Sequence, residues 1–326
     1  MSIPGSKKLS IFYILDILRD YSDENHLLSQ NEIAKKLYSI YGMECERKSI
    51  GANIDSLIDL GFDIIKTQAG CYLCGREFEP SEIQFLIDAV FSSKSIDSRH
   101  SRELANKLSK FLSSYQRKQY NYVYKANEIN RTDNKELFYN IDVINEAIEK
   151  GKQIKFTYNR FYYKEPEKKK KPYVINPYYL INNQGKYFLV CNYDYYNEIA
   201  NYKVDRICNI EILDTDAKPV TKLKGYEKGF DIAKYANENI YMFGTKTINA
   251  TVKILSNWAT AYVDEWFGKN ARFYEKDGEI FADITANETS LLYWCLQYGE
   301  GVELLEPKES REQIKKVLSE MNKRYN

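Results

Sequence analysis

Cys71 and Cys74, in the stretch CYLC, are the one cysteine pair in this sequence with the spacing of a metal-binding turn. A structural zinc site needs two further thiolate or imidazole ligands, and no second pair follows. Cys45, Cys191, Cys208 and Cys295 are scattered, mostly inside apolar runs, and His26 and His100 stand apart. The cysteines therefore read as buried free thiols, Cys71 and Cys74 as two that share a strand, and no metal is expected. Catalytic chemistry finds no better foothold. The chain has no H-E-x-x-H, no G-x-S-x-G and no glycine-rich phosphate loop, and its carboxylates are spread as helix-surface charges. A non-enzymatic protein without a cofactor is expected.

Recognition chemistry is a different matter. In NYKVDRI, residues 201–207, Arg206 stands beside Asp205 in a strand-like run between Val204 and Ile207. A guanidinium in such a run needs a partner, and a phosphate serves as well as a carboxylate. Twenty-nine tyrosines, fifteen phenylalanines and three tryptophans supply faces that can fill a core or stack on a base, the latter at roughly 1 to 3 kcal/mol each. Two readings stay open: an anion site with stacking tyrosines, or an ion pair of Asp205 or a neighbouring strand with Arg206 among packed tyrosines.

The elements that would position these groups can be read from periodicity. Ile11, Ile14, Leu15 and Leu18 share one helical face; Ser29 and Glu32 open a second helix as a capping box, with Ile33, Leu37 and Ile40 along it; Ile50, Ile54, Leu57 and Ile58 mark a third, stopped by Gly61. FDIIKTQAGCYLCG then reads as a hairpin. Three helices and a hairpin describe a winged helix-turn-helix over residues 1–76. Its third helix would offer Arg47, Lys48, Ser49 and Asn53 to a major groove, with Lys66 on the hairpin. Nine Lys/Arg against ten Asp/Glu in that segment make a neutral footprint, so a protein-interaction role is the alternative. Symmetric pairing of two copies would concentrate the cations on one duplex.

Residues 77–136 read as a helical connector, with Ile83, Leu86, Ile87 and Val90 on one face and Leu104, Leu108 and Leu112 on another. Its basic residues Arg99, Arg102, Lys107, Lys110, Arg117 and Lys118 read as a solvated face, with phosphate contact or a dimer seam as the other options. After a helix through Val143, Ile144, Ala147 and Ile148, five short strands fit a small bent SH3/Sm-like β-barrel over residues 137–222, with EPEKKKK at 165–171 as a hairpin tip. From residue 245 to 326 the order strand, helix, hairpin at Asp277-Gly278, helix, strand is ferredoxin-like, with a charged final helix. The expected fold class is multidomain α+β.

Composition bounds the rest. With 326 residues, 44% hydrophobic and 29% charged, the chain suits several globular domains, and its net charge of +1 neither demands nor excludes a polyanion. No run approaches the roughly 18 to 20 apolar residues of a membrane helix, and Asp16, Arg19 and Asp20 interrupt the apolar start, so a cytoplasmic protein with no membrane partner is expected.

IKFTYN, VINPYYLINNQGKYFLVCNYD and NYKVDRI, in that order and spacing, resemble the WYL domain of bacterial transcriptional regulators. The helix-turn-helix, the EPSEIQFLIDAVFSSKSI connector and the C-terminal segment resemble that family's usual architecture. Its Trp-Tyr-Leu triplet corresponds here to Tyr187, Phe188 and Leu189, two aromatic replacements that keep the shape. The resemblance implies a regulator, a homodimer on a double-stranded DNA operator, whose barrel senses a nucleotide, single-stranded DNA or RNA. Tyr158, Tyr178, Lys203 and Arg206 would form the pocket. Lys203 stands where the family often has arginine, which weakens bidentate phosphate recognition. A nucleic-acid-binding accessory protein that uses the barrel directly, without promoter control, is the alternative. The C-terminal domain would serve dimer assembly, pocket closure or structural support.

Overall fold

The computed structural model describes residues 9–119, 134–159 and 172–326. The 165–171 tip and most of the connector beyond Lys118 lie outside the described residues. The chain divides into two compact units, residues 1–133 and 134–326.

In the first unit, helices α1 (Ser10–Tyr21), α2 (Gln30–Tyr41) and α3 (Arg47–Asp59) are followed by an antiparallel hairpin, β1 (Ile64–Lys66) and β2 (Cys71–Leu73). Ile14, Leu15 and Leu18 of α1 meet Ile33 and Leu37 of α2 and Ile50, Ile54 and Leu57 of α3, all buried. Ile17, outside the expected stripe, is also buried, because α1 has neighbours on both sides, while Ile40 and Ile58 are exposed. The Ser29 capping box is present: the Ser29 amide donates to Glu32 Oε2 at 2.8 Å and the Glu32 amide to Ser29 Oγ at 3.3 Å. Leu28 adds a backbone bridge to Cys71, with both N–H···O contacts at 2.9 Å. Gly70 permits that approach: at φ +152° a Cβ there would lie 2.6 Å from the Leu28 carbonyl oxygen. Cys71 is buried and Cys74 exposed, so the two thiols of CYLC see different environments. This is the winged helix-turn-helix arrangement.

Three connector helices, α4 (Pro80–Ser92), α5 (Ser98–Ser109) and α6 (Ser114–Gln119), complete the described part of this unit. Ile83, Ile87, Phe91, Ala105 and Leu112 form their small core. Among the described residues two of the basic residues are ion-paired: Arg99 pairs with Glu103 at 2.8 Å, and Arg117 reaches back to Asp20 at 2.6 Å; Arg102 donates to the Ser98 carbonyl at 3.1 Å.

The second unit opens with α7 (Leu137–Glu149). Strands β3 (Lys152–Tyr158), β4 (Tyr173–Asn183), β5 (Lys186–Asn192) and β6 (Ala200–Lys203) follow, then a 3-10 turn (Val204–Arg206) and β7 (Ile207–Asp216). Among the described residues the sheet order is β6-β5-β4-β3-β7. β4 pairs with β3 through residues 173–175 and with β5 through 176–183, and bulges interrupt the β4–β5 and β3–β7 ladders, which bends the sheet on itself. That order, with a leading helix and a 3-10 turn before the last strand, is the SH3/Sm-like small barrel. Gln184 at φ +50° and Gly185 at φ +71° make the two-residue β4–β5 turn, whose geometry matches the twist of the strands.

After α8 (Ile232–Glu238), the C-terminal domain runs β8 (Thr247–Ile254), α9 (Asn257–Phe267), β9 (Ala271–Lys276), β10 (Glu279–Asn287), α10 (Glu288–Gln297), β11 (Val302–Glu306) and α11 (Lys308–Tyr325). Its antiparallel order β11-β8-β10-β9 is the ferredoxin-like one. One sheet face is closed by Ala259, Val263 and Phe267 of α9 and Leu291 and Trp294 of α10.

Candidate anion site on the barrel and the third helix

The turn at residues 203–207 is fixed at several backbone groups. The Lys203 amide donates to Tyr158 Oη at 3.2 Å and the Asn159 amide to the Arg206 carbonyl at 2.8 Å. The Asn134 side-chain amide donates to the carbonyls of Asp205 (3.0 Å) and Ile207 (2.9 Å), and Asn140, fully buried on α7, donates to Ile207 at 2.8 Å. Arg206 belongs to this 3-10 turn rather than to a strand, and its side chain is exposed. A turn held at this many points presents Lys203 and Arg206 in one geometry, which is what an anion site requires.

Lys203 is half-buried, and its Cα pairs with that of Phe188 across β5–β6, its Nζ lying 6.0 Å from that ring's centroid. Burial, then repulsion from Lys186 and Arg206, holds the Lys203 ammonium below the usual lysine value, against a smaller pull from Asp205. Lys186 and Arg206 are therefore each close enough to act on Lys203. Burial pushes the Asp205 carboxyl up, opposed first by Arg206 and then by Lys203.

Tyr158 stands in an aromatic wall. Its ring centroid is 4.9 Å from Tyr202, 6.3 Å from Tyr173 and 6.5 Å from Phe156, all edge-on, and Phe156 stacks on Tyr173 at 5.6 Å. Tyr178 is placed elsewhere. It is only 7% exposed, packed with Phe188, Val190, Ile199, Leu223, Tyr235 and Met242, and offers no free face to a base. Its hydroxyl is buried without a hydrogen-bond partner, and burial raises its pKa, so it stays neutral. Tyr158, Lys203 and Arg206 are thus brought together, and Tyr178 lies beneath the surface beside Phe188.

Lys186 was not expected. Strand alternation puts it on the Phe188 side of β5, but the register that brings it near Lys203 is a tertiary fact. Asn134 and Asn140 gave no signal, since a buried amide that ties off carbonyls looks like any helix-surface asparagine in sequence.

On α3 the outcome is mixed. Arg47, Lys48 and Ser49 are exposed, and among the described residues neither Arg47 nor Lys48 forms an ion pair. Asn53 is half-buried and donates to Ser10 Oγ at 3.2 Å and to the Ser49 carbonyl at 2.8 Å. Lys66 is paired with Asp55 of the same helix. His26 and His100 each bond a carboxylate three residues away, Asp23 and Asp97, and His26 stacks on Tyr115 at 3.6 Å.

Comparison with known proteins agrees with this anatomy. The family model described as WYL domain matches residues 139–212 and that described as WCX domain matches residues 246–321. The chain thus contains a region that matches the WYL domain, followed by one that matches the WCX domain. Among solved structures it is similar to proteasome accessory factor B/C (PafBC) of Arthrobacter aurescens, at 14% identity and a TM-score of 0.30, over 95% of this chain and 47% of that one. It is also similar to a CRISPR Cas-related protein, at 15% identity and a TM-score of 0.40, over 100% of this chain and 88% of that one. The chain spans about half the length of the PafBC chain. No curated protein matches.

Proposed function

We propose that this protein is a DNA-binding transcriptional regulator whose barrel takes a nucleotide-like or single-stranded nucleic-acid ligand and thereby alters operator binding. The observation that carries this reading is Lys203 and Arg206 held on a pinned turn beside Tyr158, with Lys186 of β5 close enough to add to the positive charge felt at Lys203. Clustered cations repel one another in the empty protein, so a phosphate gains both their attraction and relief of that repulsion. Tyr158 holds Lys203 in place and contributes its ring edge; Tyr178 supports the wall through Phe188. Arg47, Lys48 and Ser49 would meet the duplex as a homodimer, with Asn53 and Lys66 joining once they leave their internal partners. A ligand changes operator affinity only through different affinities for two conformations.

The neutral charge of the third helix favours a second reading, an accessory protein that binds single-stranded DNA or RNA through the barrel without promoter control. Mobility shifts with duplex and single-stranded DNA at two salt concentrations separate the two. Under the regulator reading, Arg47→Glu with Lys48→Glu removes duplex binding and spares single-stranded binding, while Arg206→Ala does the reverse. Duplex binding that survives Arg47→Glu and Lys48→Glu, together with loss of all nucleic-acid binding in Arg206→Ala, leaves the accessory reading. No response to nucleotides or single strands, with Arg206→Ala behaving as wild type, makes the barrel structural.

A further inference from the structure

The C-terminal sheet closes one face with α9 and α10, and alternation sends Asn249, Thr251, Asp283 and Thr285 to the other. Beneath α8 this second face forms a groove of about 700 Å³. That volume is within the range of small-molecule sites, and charged and polar side chains line it together with Ala250, Ala271 and Ile284.

Charge in the groove is divided. Lys269, in the turn before β9, and Arg272 on β9 are exposed and form no ion pair among the described residues. Arg272 lies directly opposite Asp283 in the β9–β10 register, yet Asp283 takes its hydrogen bond from Thr251 at 2.7 Å. On the α8 wall, Glu238 is 9% exposed, accepts from Thr247 at 3.0 Å and lies 3.8 Å from Lys234. Both carboxylates keep acceptor lone pairs beyond these contacts. A simple anion would meet two carboxylates, and a simple cation three positive side chains. A ligand that carries both a phosphate and hydroxyl donors satisfies both sets.

We propose that this groove binds a phosphorylated sugar, such as the ribose phosphate portion of a nucleotide, with the phosphate at Lys269 and Arg272 and the sugar hydroxyls donating to Asp283 and Glu238. None of these residues belongs to the barrel site. The α8 wall nevertheless touches the barrel: Tyr235 of α8 accepts a hydrogen bond from Asn201 at 2.8 Å, and Asn201 lies on β6 two residues before Lys203.

Calorimetric titration of the full chain carrying Arg206→Ala, with ribose 5-phosphate, inorganic phosphate and ribose as separate probes, tests the site without the barrel's arginine. Ribose 5-phosphate binds in that background, and adding Lys269→Gln with Arg272→Gln weakens it at least about tenfold. Asp283→Asn weakens it too and leaves inorganic phosphate unaffected; circular dichroism confirms that each variant is folded. Absence of binding in the Arg206→Ala background overturns the proposal, as does binding indifferent to the Lys269 and Arg272 changes. Inorganic phosphate binding as tightly as ribose 5-phosphate overturns the sugar assignment.

Discussion

The exposed stripe of α3 begins with Lys48 and continues through Ala52 and Asp55 to Asp59, so one cation is followed by two carboxylates, and Asp55 already holds Lys66 of the hairpin. The barrel turn is built the other way. Burial, with repulsion from Lys186 and Arg206 added to it, depresses the Lys203 ammonium, and the backbone of the turn is tied down by Tyr158, Asn134, Asn140 and Asn159. Both surfaces carry basic residues, and the difference lies in what offsets the charge. On α3 the offset is internal and must be released before a phosphate can replace it. On the barrel, Asp205 offsets part of the charge and a rigid turn bears the remaining repulsion, which an arriving anion would relieve.

The largest effect expected on this contrast comes from removing the barrel's support. Phe156 is fully buried and touches Tyr158, Tyr173 and Tyr202 together, so Phe156→Ala should cost about 3 to 5 kcal/mol in urea or thermal unfolding of the second unit. Single-stranded DNA binding at the barrel should fall with it, because Tyr158 loses the packing that holds it against the Lys203 amide. A loss of less than about 1 kcal/mol with binding intact would mean the aromatic wall does not position the turn.

The fold was largely legible because its signals are local. Ser29 and Glu32 announced α2, Asp277-Gly278 announced the β9–β10 hairpin, and the continuous apolar run from Tyr187 to Cys191 announced β5. The site was legible only in part. Arg206 could be named from an unusual charge in an apolar run and Lys203 only through the family resemblance, but Arg206 sits in a turn, and Lys186 joins them only through cross-strand register. Tyr178 was misleading because a bulge between Pro177 and Tyr179 breaks the alternation of β4, and the chain returning through Leu223 and Tyr235 covers its ring. Asn53 and Lys66 read as free polar groups, whereas partners 43 and 11 residues away engage them.

A smaller effect, of opposite sign on affinity and stability, is expected from Lys203. Its folded pKa is lowered, so as pH rises it loses its proton before an ordinary lysine at about 10.5. Anion affinity at the barrel should then fall, by up to about tenfold if one charge-assisted contact of ~1.5 kcal/mol is lost. Stability moves the other way. Between the folded and unfolded values the unfolded chain binds more protons, so stability rises with pH through that window. Lys203→Arg should flatten the affinity profile of nucleotide binding, measured by fluorescence titration from neutral pH upward. A wild-type profile that is already flat would show that Lys203 does not face the ligand. Duplex binding by α3 should show no such slope over the same range.

The smallest effect tests the other half of the contrast. Asp55 and Lys66 are both well exposed, so their pair adds at most about 1 kcal/mol, and Asp55→Asn should leave the melting transition of the first unit almost unchanged. The substitution releases Lys66 and removes one of the two carboxylates on the α3 stripe. If that stripe meets a duplex, affinity should rise by a factor of about 2 to 5, and the salt dependence should steepen by about one phosphate contact. A gain in affinity without a steeper slope would mean that removing the carboxylate acts at a distance and Lys66 stays off the backbone. An unchanged affinity and slope would mean that α3 does not face DNA, and the internally neutralised helix would then be an interaction surface, leaving the barrel as the part of this chain that meets nucleic acid.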